Sequence, residues 1–285
     1  FISCTGGGAE GDLIILETTD LHGVVLPYDY MEQQKMEVSL ASIASYVKKA
    51  RSGPAPVILL DNGDNLQGQP SVYYYNFIDT VSPHINAVAF NSMEYDAITV
   101  GNHDIEAGHA VYDRLVREYN FPLLAANAVN LSTGKPYFKP FTIIEKKGIR
   151  VAVFGMVTPS IPQWLPPELY SGMEFRDMLE TAKKYMPLIK KEKPDLIVGL
   201  FHSGWDGRDD DSDNRYDKNG VAAIAYNVPG FDVILCGHNH NVVNTSIINS
   251  EGDSVLILEG GSRAQKIARV DVCLVRNSSG KVRPV

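Results

Sequence analysis

Histidine and acidic side chains recur in this sequence at the ends of apolar stretches, where polar groups are costly unless something binds them. The motifs concerned are Asp20 with His22, Asp64, Asn102 with His103 and Asp104, His202, and His238 with His240. Five of the seven histidines fall in these motifs, a concentration that chance placement does not explain. Imidazole and carboxylate together are the ligands that bind zinc, manganese or iron. The sequence therefore predicts a metal centre.

The spacing within two of these motifs indicates that their side chains act in pairs. Asp20 and His22 are two residues apart, and so are His238 and His240. In an extended segment, side chains two residues apart point to the same side. We therefore expect these segments to be extended, with both members of each pair facing one ion.

The number of candidate ligands favours two metal ions over one. The candidates are Asp20, His22, Asp64, Asn102, His202, His238 and His240. They exceed the four ligands of a tetrahedral site, whereas two ions that share one carboxylate use them all and leave positions for water. Pairs of ions about 3.5–4 Å apart serve in-line displacement at phosphorus. Nitrogen and oxygen ligands suit manganese, zinc, iron and cobalt alike, so the identity of the metal stays open.

Apolar segments that precede the motifs are predicted to be strands. The predicted strands are 12–17, 56–60, 97–100, 121–126, 141–145, 149–157, 195–201, 232–236, 254–258 and 266–275. The predicted helices are 36–51, 71–93 with a break near Pro83, 107–119 and 177–191. Alternating strands and helices in the first half predict a parallel sheet, and the later strands predict a mixed second sheet. Ligands bind beyond the carboxyl ends of such strands, which is where the motifs lie.

The composition restricts the class of protein and of partner. The chain has 285 residues, of which 44% are hydrophobic and 21% charged, as in ordinary globular proteins. Its net charge of −8 and the lack of a basic run argue against a nucleic-acid polymer as partner. An anionic substrate would therefore need a bound cation to receive it. No run of apolar residues is long enough to predict a transmembrane helix.

The order of the motifs resembles the calcineurin-like metallophosphoesterase superfamily. That order is Asp-x-His, Gly-Asp, Gly-Asn-His-Asp, a lone histidine after a buried strand, and Gly-His-x-His. The sequence is most similar to the catalytic domain of the 5′-nucleotidase and 2′,3′-cyclic-nucleotide phosphodiesterase family. The supporting stretches are Glu-Thr-Thr-Asp-Leu-His at 17–22, Asp-Asn-Gly-Asp at 61–64, Gly-Lys-Pro-Tyr-Phe-Lys-Pro at 134–140 and His-Ser-Gly at 202–204.

The resemblance implies an α/β fold, namely a two-sheet mixed β sandwich flanked by helices in four layers. It implies that Asp20, His22 and His240 hold the first metal, that Asn102, His202 and His238 hold the second, and that Asp64 bridges them. His103 and Asp104 would form a catalytic pair, in which His103 protonates the leaving group and Asp104 orients the imidazole of His103. Asn102 would also stabilise charge on the phosphate.

The implied reaction is hydrolysis of phosphate esters by in-line attack of a hydroxide that bridges two divalent metals. Nucleotides are the expected substrates, as in a 5′-nucleotidase or a 2′,3′-cyclic-nucleotide phosphodiesterase and 3′-nucleotidase. A general phosphodiesterase, a phosphoprotein phosphatase and a non-catalytic metal-binding envelope lipoprotein are the alternatives. The His103–Asp104 pair favours an enzyme, because a binding protein needs no general acid. Trp164 and Trp205 are candidates for stacking a nucleobase, whereas the tyrosines at 73–75 are interpreted as helix packing.

The resemblance covers roughly residues 12–275, which predicts one catalytic domain over 12–285 after a flexible tether at 1–11. The sequence departs from the family pattern at 261–268, where alanines replace two glycines of a loop near the site. Family nucleotidases carry a second domain that binds the base and phosphate. We expect this chain to lack that domain, and a separate chain to supply it if it is needed.

The three cysteines show neither paired spacing nor a zinc pattern. Cys236 and Cys273 lie in apolar strands and are interpreted as small apolar side chains. Cys4 precedes a glycine-rich stretch and resembles the lipidated residue of a bacterial lipoprotein. It predicts a location in the periplasm or cell envelope, with the lipid as the only membrane contact. An incidental cysteine is the alternative.

Overall fold

The computed structural model describes residues 12–30, 32–205, 220–276 and 282–284. The strands are β1 (Leu13–Thr18), β2 (Tyr28–Asp29), β3 (Gln34–Lys35), β4 (Val57–Asp61), β5 (Ala97–Thr99), β6 (Leu123–Leu124), β7 (Ala128–Asn130), β8 (Phe141–Lys146), β9 (Ile149–Val157), β10 (Met173–Phe175), β11 (Leu196–His202), β12 (Val233–Cys236), β13 (Val242–Ile248), β14 (Ser254–Gly260), β15 (Ala268–Val272), β16 (Leu274–Arg276) and β17 (Val282–Pro284). The helices are α1 (Leu40–Arg51), α2 (Pro70–Phe77), α3 (Ile85–Ser92), α4 (Asn102–Glu106), α5 (His109–Glu118), α6 (Ile161–Trp164), α7 (Met178–Lys191) and α8 (Val221–Asn227), with a 3₁₀ turn at Pro167–Tyr170.

The first sheet has the strand order β15-β1-β4-β5-β6. Its four strands from the first half of the chain are parallel, as the alternation of strands and helices predicts. Strand β15 pairs antiparallel with β1, with Ile15 opposite Val270. The expectation that residues 266–275 belong to the second sheet is therefore wrong. Local apolar patterning shows that a strand exists but not which sheet edge receives it.

The second sheet has the order β13-β14-β12-β11-β9-β8 and is mixed, as expected. Its four inner strands are parallel, and the edge strands β13 and β8 are antiparallel to their neighbours. Strand β13 was not predicted. Its side chains alternate between exposed and half-buried positions, so it has no apolar run that would indicate a strand.

Alternating side chains of the two sheets form the core between them. Leu13 and Ile15 of β1 pack with Val151 and Val153 of β9 and with Val198 of β11. The intervening residues point outward, because successive side chains of a strand lie on opposite faces. On the far side of the first sheet, α1 and α3 cover this outward set, and α7 and α8 cover the second sheet. The predicted four-layer sandwich is therefore confirmed.

Side-chain caps fix where the flanking helices begin. Ser39 accepts a hydrogen bond from the backbone N–H of Ser42 at the start of α1. Asp177 accepts one from Glu180 at the start of α7, 2.8 Å away. Such caps satisfy donors that the first helical turn leaves free. Lys48, Lys49 and Arg51 occupy the last turn of α1, where positive charge is favourable.

The cysteines differ from one another. Cys236 is free and buried in β12. Cys273 is disulfide-bonded, so its interpretation as a small apolar side chain is wrong.

The tether at 1–11, with Cys4, lies outside the described residues, as does the acidic loop at 206–217. In the described part of the chain, we find no helix with the length and apolar character needed to cross a membrane.

Candidate metal centre

The carboxyl ends of the parallel strands converge, and the predicted ligands meet there in two clusters. The first cluster is Asp20, His22 and His240, and the second is Asp64, His202 and His238. Within each cluster the possible ligand atoms lie within 4.8 Å of one another.

Short contacts hold each cluster together. In the first, the Nε2 atoms of His22 and His240 are 3.0 Å apart, and His240 Nε2 is 3.4 Å from Asp20 Oδ1. In the second, His202 Nε2 is 3.1 Å from Asp64 Oδ2.

Asn102 belongs to the second cluster. Its Oδ1 atom lies 3.1 Å from His202 Nε2 and 2.9 Å from His238 Nδ1. The structure thus brings together the residues expected at each metal. Asp64 lies in the second cluster, and its charge acts to raise the pKa of His22 in the first cluster, against the larger effect of burial. Its role as a bridge stays a prediction.

The donor atoms fit divalent metal ions. The facing Nε2 atoms of His22 and His240 cannot both carry a proton at 3.0 Å, so at least one lone pair points into the cluster. Asp20 is fully buried there. A buried carboxylate beside converging imidazoles needs a positive partner. Mixed nitrogen and oxygen donors suit the first-row metals named above and do not select one of them.

The ligand segments are not extended, so that expectation is wrong. Asp20, His22, Asp64, His238 and His240 have φ values of 51°, 47°, 57°, 79° and 57°. This left-handed conformation is uncommon for residues with a Cβ, and it is found most often at functional sites. The side chains converge because hydrogen bonds hold the loops together. They do not converge because alternate side chains of an extended segment share one side.

Backbone hydrogen bonds tie the ligand loops to one another. The N–H groups of Asp20 and His22 donate to the carbonyls of Gly63 and Asp64, each at 2.9 Å. The N–H of His238 donates to the Asp20 carboxylate at 3.1 Å. The loops after β1, β4 and β12 therefore form one bonded unit.

Glycine allows the closest approach between these loops. A Cβ atom on Gly101 would collide with the backbone N and the carboxylate of Asp64. A Cβ on Gly237 would meet the Thr19 hydroxyl and Asp20 Oδ2. Side chains at these positions would displace a ligand from each cluster.

Asp104 and His103 make different contacts from those expected. The Asp104 carboxylate accepts hydrogen bonds from the N–H groups of Asp64, Asn65 and Gly101 at 2.8–2.9 Å, and from Leu66 at 3.1 Å. Both carboxylate oxygens are thus used to hold the loop after β4. The structure gives Asp104 a place under that loop instead of against the imidazole.

Glu106, and not Asp104, is paired with the imidazole of His103. Glu106 Oε2 lies 2.5 Å from His103 Nδ1, three residues further along α4. Sequence reasoning missed this contact because it did not predict that a helix begins at Asn102. Once that helix start is known, the spacing of three residues places both side chains on one face.

Charge within the clusters sets the protonation of the ligands. Burial opposes ionisation of Asp64, but neighbouring imidazoles, His202 first, outweigh it and hold the pKa of Asp64 below its usual range. Burial would lower the pKa of His202, but the charge and hydrogen bond of Asp64 raise it to about 10. Burial lowers the pKa of His22. His202 must release its proton to bind a metal, so protons compete with metal there.

Buried acidic groups also lie behind the ligands. Burial raises the pKa of Asp61 to about 7, although Thr18 and Asn65 donate to its carboxylate, each at 2.6 Å. Burial likewise raises the pKa of Glu259 to about 8. The hydrogen bond between Thr18 and Asp61 links the ends of β1 and β4.

The aromatic candidates are placed differently from one another. The Trp164 ring is stacked on His238, with centroids 5.4 Å apart and an interplanar angle of 27°. Trp205 packs against the core on the helical side of the second sheet. Tyr73 and Tyr74 are 59% and 47% exposed, so their interpretation as core packing is wrong.

A four-layer sandwich with two histidine–carboxylate clusters at the strand ends defines a metallophosphoesterase. The chain belongs to the calcineurin-like phosphoesterase family, which it matches over residues 13–242.

Curated relatives carry nucleotide-related names. The chain is 29% identical to a 2′,3′-cyclic-nucleotide 2′-phosphodiesterase/3′-nucleotidase of Haemophilus influenzae, over 98% of this chain and 46% of that protein. It is 32% identical to a 5′-nucleotidase of Vibrio cholerae, over 81% of this chain and 40% of that protein. The chain therefore spans less than half the length of these relatives.

Solved structures show the same architecture. The calcineurin-like phosphoesterase YfkN from Bacillus subtilis superposes with a TM-score of 0.82 at 26% identity, covering 97% of this chain and 89% of that one. A putative 5′-nucleotidase from Staphylococcus aureus has the same fold, with a TM-score of 0.80 at 23% identity over 96% and 52% of the two chains.

Proposed function

We propose that this chain hydrolyses phosphate esters of nucleotides with two divalent metal ions. The observation that carries the proposal is the position of His103 beside the ligand clusters. Its ring centroid is 5.5 Å from that of His22, and its side chain is 34% exposed. A histidine that is next to a metal site but outside its ligand clusters is free to transfer a proton. The names of the curated relatives support nucleotides as the substrate class.

The two clusters would hold the ions, which when bound activate water and offset the negative charge of the phosphate. The chain's own groups do the remaining work. Asn102, next to His202 and His238, is placed to position the phosphate, because its amide also carries N–H donors. The backbone of the site is already organised through Asp104 and the loop after β4.

Proton transfer to the leaving group falls to His103. His103 Nδ1 lies 2.5 Å from Glu106 Oε2, so a proton on Nδ1 would be donated to that carboxylate and Nε2 would be the nitrogen left for proton transfer. An imidazole held in this way can donate from Nε2 to the leaving alkoxide and afterwards recover the proton from solvent.

The test is phosphate release from 2′,3′-cyclic AMP, 3′-AMP and 5′-AMP. The protein is stripped with a chelator and reloaded with manganese, zinc or cobalt, and His103→Ala serves as the control. We expect turnover that needs both metal and His103. Hydrolysis of 2′,3′-cyclic AMP first gives a nucleoside monophosphate. A coupled phosphatase therefore releases the measured phosphate if the protein does not hydrolyse that product itself. No turnover of any nucleotide by protein that holds two ions would overturn the proposal.

A further inference from the structure

Trp164 extends the second metal cluster with an aromatic surface. Its ring lies against the ring of His238, which in turn contacts Asn102. Trp164 is nevertheless 41% exposed. An indole with one part against a metal-ligand histidine and another part open to solvent is suited to bind a second flat ring.

The segment that carries Trp164 is firmly anchored. Ile161, at the start of α6, is fully buried in a cluster that includes Tyr112 and Val157. The N–H of Leu165 donates to the carbonyl of Ile161 at 3.0 Å, and so closes the helical turn around Trp164. The N–H of Thr158 donates to the carbonyl of the ligand His202 at 2.9 Å. The position of Trp164 relative to the cluster is therefore set before any substrate binds, which lowers the entropy cost of stacking.

The other tryptophan provides an internal comparison. Trp205 follows His202 by three residues but packs against the core cluster formed by the second sheet, α7 and α8. Proximity in sequence to a ligand therefore does not by itself give an aromatic surface at the site. Trp164 combines contact with a ligand, exposure and an anchored backbone.

We propose that Trp164 stacks on the base of a nucleotide whose phosphate lies at the metal clusters. This catalytic domain would then select nucleotides over aliphatic phosphate esters through its own residue. The inference rests on the proposed function, because it names the feature that selects the substrate at the same site. Stacking on an aromatic face tolerates all bases, so the selection favours purines by ring size without excluding pyrimidines.

Fluorescence tests the stacking without requiring turnover. The chain has two tryptophans, so Trp205→Phe leaves Trp164 as the single emitter. Combined with His103→Ala and loaded with metal, this protein is titrated with 3′-AMP and, separately, with glycerol 2-phosphate. We expect 3′-AMP to quench the emission and glycerol 2-phosphate to leave it nearly unchanged. The matched protein with Trp164→Phe, which keeps Trp205, should respond to neither.

Kinetics separate stacking on the base from mere support of His238. Trp164→Ala should raise KM for 3′-AMP about tenfold, while Trp164→Phe retains most of the affinity. Turnover of glycerol 2-phosphate and the metal content should change little in either variant. Equal losses on both substrates, together with loss of metal from Trp164→Ala, would overturn the stacking and assign Trp164 to support of His238.

The two proposals fail in different ways. Quenching by 3′-AMP in a metal-loaded protein that hydrolyses no nucleotide would refute the proposed reaction and leave stacking intact. Nucleotide turnover without quenching, or with unaltered KM in Trp164→Ala, would refute the stacking alone.

Discussion

His103 Nδ1 and Glu106 Oε2 are 2.5 Å apart on one face of α4. The same helix carries Asn102, which contacts the second cluster, and Asp104, which anchors the loop after β4. In the proposed reaction, Asn102 would be a metal ligand and His103 the proton donor, while Asp104 would anchor the backbone and Glu106 would position the imidazole. This division separates the effects of their substitutions.

Glu106→Gln should lower kcat about tenfold or more and leave two metal ions bound, because it removes only the carboxylate that orients His103. His103→Ala should lower kcat by about 10²–10⁴, the usual contribution of a general acid. Steady-state kinetics and metal analysis of the same preparations measure both effects. Glu106→Asp, which keeps the charge, is the control and should recover part of the rate. Loss of metal from either variant would contradict these roles.

Asp104→Asn should act on stability before chemistry. The amide NH₂ would face backbone N–H donors, and an unsatisfied buried group costs about 1–3 kcal/mol. We expect a lower midpoint in urea and weaker metal binding, since Asp64 lies in the loop that Asp104 holds. A variant with normal stability and metal content but a rate as low as that of His103→Ala would instead show that Asp104 serves the imidazole.

His240→Ala should bind one metal ion firmly instead of two. His240 contributes Nε2 to the first cluster, and the ligands of the second cluster remain in place. Metal analysis after dialysis against a weak chelator gives the stoichiometry. Substitution of His109, whose ring contacts Tyr137 and lies in neither cluster, is the matched control and should leave two ions bound. Retention of both ions by His240→Ala would contradict the assignment of the first site.

Gly101→Ala should weaken metal binding because a methyl group there collides with Asp64. The backbone of Gly101 has φ −98°, so the effect arises from contact and not from backbone strain. We expect a metal affinity reduced by tenfold or more, measured by competition with a chelating dye. Gly134→Ala is the control, since a Cβ at that position meets no atom within 4 Å. Its own cost is the strain of φ +66°, which should lower stability but not metal affinity.

Acid should destabilise the fold partly through His84. This residue is fully buried, and its imidazole accepts the N–H of Asn86 at Nδ1 and contacts Asn76 through Nε2. Burial, aided by Arg114, lowers the pKa of His84 to about 4, below the usual 6.5. The unfolded chain therefore binds more protons between these pH values, and stability is lost as the pH falls through that window. The effect is on the order of 3 kcal/mol at most.

Urea unfolding at pH 7.5 and pH 5 measures this dependence. His84→Gln should be less stable than the natural protein at pH 7.5 and should lose less stability on acidification. Comparison of the two proteins at each pH removes the contribution of metal release, which is common to both. Equal losses on acidification would show that His84 does not titrate in this range.

The sequence was sufficient to locate the site because each strand is a short apolar run that ends at glycine or a polar residue. It also predicted the α/β sandwich, since alternating elements restrict the topology. It did not predict the left-handed backbone of Asp20, His22 and His240, which depends on hydrogen bonds to other loops. It missed Glu106 because the role of that carboxylate depends on where a helix starts. It placed 266–275 in the wrong sheet because edge pairing is a long-range choice.

The pairing of β15 with β1 also concerns how the protein is made. The first and last long strands of the described fold lie side by side, so the edge of the first sheet stays open until residues 268–272 have left the ribosome. Contacts between segments so distant in sequence slow folding, because the intervening chain must first be brought together. Asp20 and His22 of the first cluster follow shortly after β1. The segment that carries this cluster therefore gains its second neighbouring strand only after residues 268–272 have been made.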